Sequence, residues 1–169
     1  MDIKRAEKTD FDLVFSEIEK NFIPDERRDY DDALKLFLSG KYEIILFISE
    51  GKNVGFITLW HFESFTFAEH FVIYEKYRNA GLGALALKRL EEVYTKIVLE
   101  AEPPISPIAE RRLAFYKRNG FFENGQKYMQ PAYREDKDEV ELLIMSYPSL
   151  LDNFGETVSI IKREVYGKK

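Results

Sequence analysis

Three extended segments follow one another between residues 42 and 73, and no helical stretch separates them. Residues 44–48 form a continuous apolar run that is typical of a buried strand. The turn sequence Glu-Gly-Lys-Asn at 50–53 leads into a second strand at 54–62, and a third extends over about 65–73. Strands that succeed one another without crossover helices favour an antiparallel meander, so the chain is restricted to folds built on a largely antiparallel sheet.

Apolar residues at helical spacing flank this meander on both sides. The predicted helices cover residues 11–22, 33–38, 85–97, 109–119 and 150–165. Since the apolar segment 97–101 follows a helix, the third strand, the crossover helix and this segment would give one parallel pair. Further strands are predicted near Ile3, from Phe121, and over 140–147. The pattern therefore predicts an α/β (α+β) fold, in which helices flank a mixed, mostly antiparallel sheet.

Size and charge limit the class of protein. At 169 residues, with 45% apolar residues, the chain is expected to form one globular domain with a substantial core. The formal net charge of -5 argues against nucleic acid as a partner. Residues 1–5 do not lead into the apolar core of a signal sequence, and the apolar run at 44–48 is far too short to cross a bilayer. We therefore expect a cytoplasmic protein without a membrane partner.

The absence of cysteine narrows the chemistry further. Without a thiol, the chain has no cysteine nucleophile, no disulfide and no cysteine-ligated metal site. The two histidines, His61 and His70, lie in a segment that is predicted to be extended, which differs from the helical pairing of a metal site. We therefore expect no metal cofactor.

Residues 71–84 carry the strongest functional signal, because an apolar strand leads through a polar turn into a helix with glycines at its N-terminus. Gly81 and Gly83 would let a ligand approach free backbone N–H groups, and Arg78 adds a permanent charge nearby. The segment lacks the Gly-Lys-Ser/Thr of a P-loop and the third glycine of the dinucleotide fingerprint. A pyrophosphate other than that of ATP or NAD is the better candidate, and a close-packed turn without a ligand is the alternative.

At these residues the chain resembles the GNAT superfamily of acetyl-coenzyme A-dependent N-acetyltransferases. Residues 78–84, Arg-Asn-Ala-Gly-Leu-Gly-Ala, match the Arg/Gln-x-x-Gly-x-Gly/Ala signature of that family. Residues 69–73 look like its strand 4, and Ala-Phe-Tyr-Lys-Arg-Asn-Gly-Phe at 114–121 looks like its later Phe-Tyr-x-x-x-Gly-Phe element. The resemblance covers residues 1–147 as an acetyltransferase domain and leaves 148–169 as a C-terminal helical extension of the same domain.

The resemblance implies that acetyl-coenzyme A is the cosubstrate and is clamped at a splayed pair of parallel strands. The strand segment Phe71, Val72 and Ile73 would bind the pantetheine arm, with the backbone of Phe71 and Ile73 pairing with it. The residues implied to hold the pyrophosphate are Arg78, Asn79, Ala80, Gly81, Leu82, Gly83 and Ala84. In such enzymes an amine attacks the thioester directly, so the lack of cysteine is no obstacle.

Three residues are candidates for acid–base catalysis. Tyr116 matches the tyrosine acid of the family and could protonate the leaving thiolate; the alternative is an aromatic core residue. Glu100 resembles a strand-5 glutamate that serves as the base in some members, and Glu69 on the neighbouring strand is the second candidate. For both glutamates the alternative is an ordinary polar position at a strand end. The chain departs from the family after strand 5, where Pro-Pro-Ile-Ser-Pro at 103–107 replaces the usual asparagines.

These residues favour an N-acetyltransferase that acts on a primary amine of a small molecule or a protein. Acidic residues around the acceptor would favour a cationic amine. Aromatic candidates for the acceptor site, which could equally be core residues, are Trp60, Phe62, Phe65, Tyr128 and Tyr133. A noncatalytic acyl-coenzyme A-binding regulatory module and a purely structural domain are the competing interpretations. The terminal helix is a candidate to cover the acceptor groove, to form a homodimer contact, or to pack on its own domain.

Overall fold

The computed structural model describes residues 1–168. Its strands are β1 (Asp2–Arg5), β2 (Glu43–Ser49), β3 (Lys52–His61), β4 (Thr66–Ile73), β5 (Ile97–Ala101), β6 (Phe122–Gln130) and β7 (Val140–Tyr147). Its helices are α1 (Phe11–Asn21), α2 (Tyr30–Leu38), α3 (Leu82–Glu91), α4 (Pro107–Arg118) and α5 (Phe154–Glu164). The strands form a seven-stranded sheet in the order β1-β2-β3-β4-β5-β7-β6. All neighbours are antiparallel except β4 and β5, which confirms the predicted meander and the predicted parallel pair.

The parallel pair separates after a short length of pairing. β4 and β5 are in register from Thr66 opposite Ile97 only as far as Ala68 opposite Leu99. The next residue, Glu69, falls at a register shift in the pairing of β3 with β4 and is left without a partner in β3. Such a bulge bends and twists its strand, so β4 turns away from β5 beyond this point. The splayed strand pair implied by the family resemblance is therefore present.

The two faces of the sheet carry separate cores. The first face packs against α1, α2 and α5, whereas the second face packs against α3 and α4. Because side chains alternate along a strand, Val98 belongs to the first core and Leu99 to the second. The terminal helix packs on the first face of the sheet, since Ile161 and Val165 are buried in the first core.

Two helix boundaries differ from those predicted by four residues or more. The helix expected at 85–97 ends at Glu91, because the chain turns at 92–96 and Ile97 already pairs in the sheet. The terminal helix begins at Phe154 rather than at Leu150, and the side chain of Asn153 caps it by accepting a hydrogen bond from the Glu156 amide. In both cases apolar residues continue at helical spacing beyond the residues that form helical hydrogen bonds, so the sequence pattern predicts too long a helix.

Candidate active site

A cavity of about 970 Å³ opens where β4 and β5 separate. Its lining combines Phe22 and Tyr133 from the first-face core with Phe115 from the second. The site residues expected from the sequence that line it are Glu69, Phe71, Val72, Ile73, Arg78, Asn79, Gly81, Leu82, Gly83, Ala84, Glu100 and Tyr116. Ala80, exposed in the same turn, lies outside this lining. The fold thus brings the expected acid, both expected bases and the glycine-bearing turn around one space.

The N-terminus of α3 has the features of an anion site. The helix follows Gly81, whose φ of 75° lies in the left-handed region, and no side chain caps it. Gly83 lies against α4, where a Cβ atom would approach Cζ of Phe115 to 3.2 Å. Uncapped N–H groups, the positive end of a helix dipole and the absence of side-chain bulk fit the pyrophosphate that was predicted here.

Arg78 stabilises the turn that leads into this helix. Its Nε donates a hydrogen bond to the carbonyl oxygen of Ile73 at 2.9 Å, and its Nη2 donates to Oδ1 of Asn21 at 2.5 Å. The arginine therefore ties the end of β4 to α1. The Ile73 carbonyl, which was expected to pair with the pantetheine arm, accepts the Arg78 bond in this structure.

Tyr116 lies on the second face, in the last turn of α4. Its ring packs against Phe115 and Phe121, with centroid separations of 5.4 and 5.7 Å, and the residue is 6% exposed. Burial raises the pKa of its hydroxyl to about 12, and Arg112 only partly opposes this. Tyr116 is thus protonated at neutral pH and borders the cavity as a proton donor.

Glu100 projects from β5 toward the first face. One of its carboxylate oxygens accepts a hydrogen bond from the Tyr166 hydroxyl at 2.6 Å, and the other accepts one from Tyr128. Burial raises the pKa of Glu100 to about 7, and the two hydroxyl donors lower it only in part. A carboxyl group with this pKa can both accept and release a proton near neutral pH.

Glu69, at the bulge of β4, has a different environment. Its side chain is 2% exposed and forms an ion pair with Arg28. Trp60 Nε1 and the Tyr133 hydroxyl donate to the same carboxylate at 2.8 and 2.7 Å. Although burial opposes ionisation, the Arg28 charge and these donors lower the pKa of Glu69 to about 2. A carboxylate with so low a pKa is a weak base.

The five aromatic candidates divide between the cavity and the core. Tyr133 lines the cavity, whereas Trp60 and Tyr128 are buried and hydrogen-bonded to the two glutamates. Phe62 and Phe65 pack against each other at 4.9 Å in the first-face core, away from the lining.

Two residues near the carboxylates were not predicted. Arg28 lies in the connection between α1 and α2. The sequence feature that could have indicated a role for it is the pair of adjacent arginines in an acidic stretch. Tyr166 follows α5 near the end of the chain, and no local pattern marks it.

Among residues 1–168, no group of three or more His, Asp or Glu side chains is arranged to hold a metal ion. Within the same described range, no helix combines the length and apolarity needed to cross a membrane.

About half of the chain matches a model of a protein family. Residues 41–123 match the model described as the acetyltransferase (GNAT) domain, a range that extends from just before β2 to the start of β6. The match includes the turn at 78–84, Glu69, Glu100 and Tyr116. No curated protein matches the chain.

Solved structures share the fold over most or all of the chain. A protein from Bacteroides thetaiotaomicron, assigned to the GNAT acetyltransferase family, is 28% identical, covers 100% of both chains and has a TM-score of 0.93. An aminoglycoside 6'-N-acetyltransferase complexed with coenzyme A is 14% identical, covers 86% of this chain and 96% of its own, and has a TM-score of 0.63. The ribosomal-protein-S18-alanine N-acetyltransferase from Escherichia coli is 20% identical, covers 91% and 97%, and has a TM-score of 0.60. At these identities the last two establish similarity of fold alone.

Proposed function

The chain belongs to the GNAT superfamily, and from this premise we propose that it transfers an acetyl group from acetyl-coenzyme A directly to a primary amine of a small molecule or a protein. One observation carries the proposal: an uncapped helix N-terminus, a protonated Tyr116 and a Glu100 with a pKa near 7 border the same cavity. Their combination supplies an anion site, an acid and a base.

The residues on the β4 and α3 side would hold the cosubstrate. The backbone of Phe71 and Ile73 would bind the pantetheine arm, and the amides of residues 78–84 would bind the pyrophosphate. When bound, acetyl-coenzyme A supplies an activated acetyl thioester. The gap between β4 and β5 would orient this group, because the edges that these two strands turn toward each other are unpaired beyond the last registered pair.

We assign the role of base to Glu100 rather than to Glu69. With a pKa of about 7, Glu100 is largely ionised just above neutral pH and can take the proton that the attacking amine loses. Glu69, ion-paired with Arg28 and with a pKa of about 2, has little tendency to accept a proton. Its negative charge on the bulge instead compensates the buried guanidinium.

Tyr116 would act as the acid on the other side of the sheet. It belongs to the second-face core, whereas the tyrosines that hold Glu100 belong to the first. An amine approaching from the first face would therefore meet the base, and the leaving thiolate would form on the side of Tyr116. The hydroxyl would donate a hydrogen bond and then a proton to the sulfur as negative charge develops there.

The acceptor is expected to be cationic before it reacts. Five glutamates line the cavity: Glu26, Glu69, Glu100, Glu102 and Glu110. Arg28 offsets one of these charges, and Arg112 offsets another through a 2.5 Å contact with Glu102. Arg78, Arg111 and Arg118 also line the cavity, from the turn before α3 and from α4. The carboxyl groups of Glu26 and Glu100 lie on the first-face side instead, and there they would favour a protonated amine, such as a polyamine, an aminoglycoside, a lysine side chain or a protein N-terminus.

Release of the coenzyme A thiol in the presence of an amine panel tests the function. The panel contains a polyamine, an aminoglycoside, a lysine peptide and peptides with free N-termini, and calorimetry measures coenzyme A binding in parallel. We expect binding together with thiol release that depends on one of the amines. Binding without release across the panel would favour the noncatalytic acyl-coenzyme A-binding module, and absence of binding would contradict both.

A further inference from the structure

The turn after α5, at Val165 and Tyr166, contacts Glu100 directly and Glu69 through Arg28. We propose that this turn completes the active site, with Tyr166 as a positioning residue for the Glu100 base and Val165 as an anchor for Arg28. The inference rests on the proposed function, because it takes Glu100 as the base. It adds an element that lies outside residues 41–123, the range matched by the family model.

The contact between Tyr166 and Glu100 is direct and buried. The Tyr166 hydroxyl donates to Oε2 of Glu100 at 2.6 Å, and the residue is 6% exposed. Tyr128 donates to Oε1, so each carboxylate oxygen is held by a phenol from a different part of the chain. Two donors on opposite oxygens fix the rotation of the carboxylate and leave each oxygen a second lone pair for a substrate proton.

The preceding residue makes a second connection to the site. Arg28 Nη2 donates a hydrogen bond to the carbonyl oxygen of Val165 at 2.5 Å, and the same guanidinium binds Glu69. The rings of Trp60 and Tyr133 lie 5.3 and 4.7 Å from the Arg28 guanidinium carbon. Val165 and Tyr166 therefore link the terminal turn to β4 and to β5, the two strands that separate at the cavity.

The ionisation of Glu100 depends on groups from several elements. Those facing it are Tyr128 on β6, Tyr133 in the β6–β7 connection, Tyr166 after α5, Glu69 on β4 and Glu26 between α1 and α2. Lys162 of α5 lies 5.6 Å from the Tyr128 ring. The phenol donors favour the carboxylate, whereas the two glutamates disfavour it. Removal of the Tyr166 hydroxyl should therefore raise the Glu100 pKa and reduce the amount of base at neutral pH.

A purely structural role for Tyr166 predicts a different result. If Tyr166 only fills the first-face core, its loss should lower stability and leave the pH dependence of catalysis unchanged. Tyr166→Phe separates the two roles, because it retains the ring and removes only the hydroxyl.

Two pH titrations of Tyr166→Phe test the proposal. One follows kcat/KM with an amine that is neutral throughout the range, and the other follows the Glu100 carboxyl carbon by NMR in protein labelled at glutamate Cδ. Glu100→Gln assigns the NMR signal. We expect both midpoints to move to higher pH by about one unit, which gives roughly tenfold lower kcat/KM on the acidic limb and recovery at alkaline pH.

Tyr94→Phe is the matched control, because Tyr94 stacks on His61 at 5.4 Å and lies outside the cavity lining. It should leave both midpoints in place, and Tyr128→Phe should move them in the same direction as Tyr166→Phe. In the unmutated protein labelled at tyrosine Cζ, the Tyr166 resonance should titrate together with Glu100, a measurement that needs no variant to fold.

The outcomes distinguish this inference from the proposed function. The positioning role would be overturned if Tyr166→Phe turns over substrate with an unchanged Glu100 titration. It would also be overturned if the Tyr166 resonance does not follow the Glu100 titration. Either result would leave the proposed function intact. Failure of every amine to release thiol would contradict the function, whereas the NMR titration would still report on the contact.

Discussion

Glu100 and Glu69 lie on adjacent strands, yet their surroundings shift their pKa values in opposite directions. Glu100 is buried with two neutral phenol donors, so its pKa rises to about 7. Glu69 is buried with a guanidinium, so its pKa falls to about 2. Environments that separate the pKa values of neighbouring carboxyl groups in this way are a means of giving them different chemical roles.

Glu100→Gln should remove the acidic limb of the pH profile. The parent enzyme should gain kcat/KM as pH rises through about 7, because the carboxyl group then loses its proton and becomes a base. Relative to the parent, the variant should lose most turnover above about pH 7, where Glu100 would be ionised, and the turnover it retains should rise with pH only as free amine becomes available. Steady-state kinetics with a protonatable amine and with an amine that stays neutral would separate the two ionisations.

Glu69→Gln is the comparison for that experiment. Because it leaves Arg28 buried without its ion-pair partner, a loss of stability of roughly 3–5 kcal/mol is expected, and urea denaturation should accompany the kinetics. A parent-like profile in Glu100→Gln together with a lost acidic limb in folded Glu69→Gln would transfer the base role to Glu69. No change in either would point to water or to the substrate as its own base.

Tyr116→Phe should retain coenzyme A affinity and lower turnover by about 10²–10⁴-fold. The substitution removes the hydroxyl and keeps the ring that packs between Phe115 and Phe121. Single-turnover rates should be measured, because slow product release can mask the chemical step. Tyr94→Phe again serves as the control, and a parent-like single-turnover rate in Tyr116→Phe would exclude the acid role.

At the scale of single elements, the N-terminus of α3 packs directly against α4. Gly83 allows the first turn of α3 to contact Phe115, and the neighbouring Tyr116 then faces the cavity. The two sequence motifs at 78–84 and 114–121 are thus in contact in the fold, although about thirty residues separate them along the chain.

Gly83→Asp should weaken coenzyme A binding by at least roughly tenfold, measured by calorimetry. The added carboxylate would repel the pyrophosphate, and its Cβ atom would press on Phe115. Gly125→Asp, which adds the same charge at a glycine of β6 with no atom near its Cβ position, is the matched control. Unchanged affinity in a folded Gly83→Asp protein would show that the pyrophosphate binds elsewhere.

The elements could be predicted where side-chain periodicity reports directly on packing. The meander, the parallel pair and the glycine-bearing turn follow from short contiguous patterns, and each is present. The end of α3 was missed because the apolar spacing continues through the turn at 92–96 into β5. Arg28 and Tyr166 were missed because their importance comes from tertiary contacts, which local spacing does not encode.

At the scale of the whole molecule, three registered residue pairs join β4 to β5. Beyond them, the halves β1–β4 and β5–β7–β6 are separated by the cavity. A ligand that spans this gap should therefore stabilise the folded protein as a whole.

Coenzyme A at about one hundred times its Kd should stabilise the fold by about 2.7 kcal/mol. For a domain of this size, that corresponds to a rise in melting temperature of roughly 5–10 °C. Differential scanning fluorimetry measures the shift, with Gly83→Asp at the same ligand concentration as the control. An equal shift in that variant would place the binding site outside the α3 N-terminus.

The surroundings of the two glutamates are assembled from distant parts of the chain, whereas the predicted cosubstrate site is largely continuous. Arg28 comes from near the start, Tyr133 from the connection after β6 and Tyr166 from near the end. In evolutionary terms, substitutions around the two glutamates can accumulate one at a time without altering residues 71–84. If the proposed function holds, such an arrangement lets the choice of amine change while the acetyl donor stays the same.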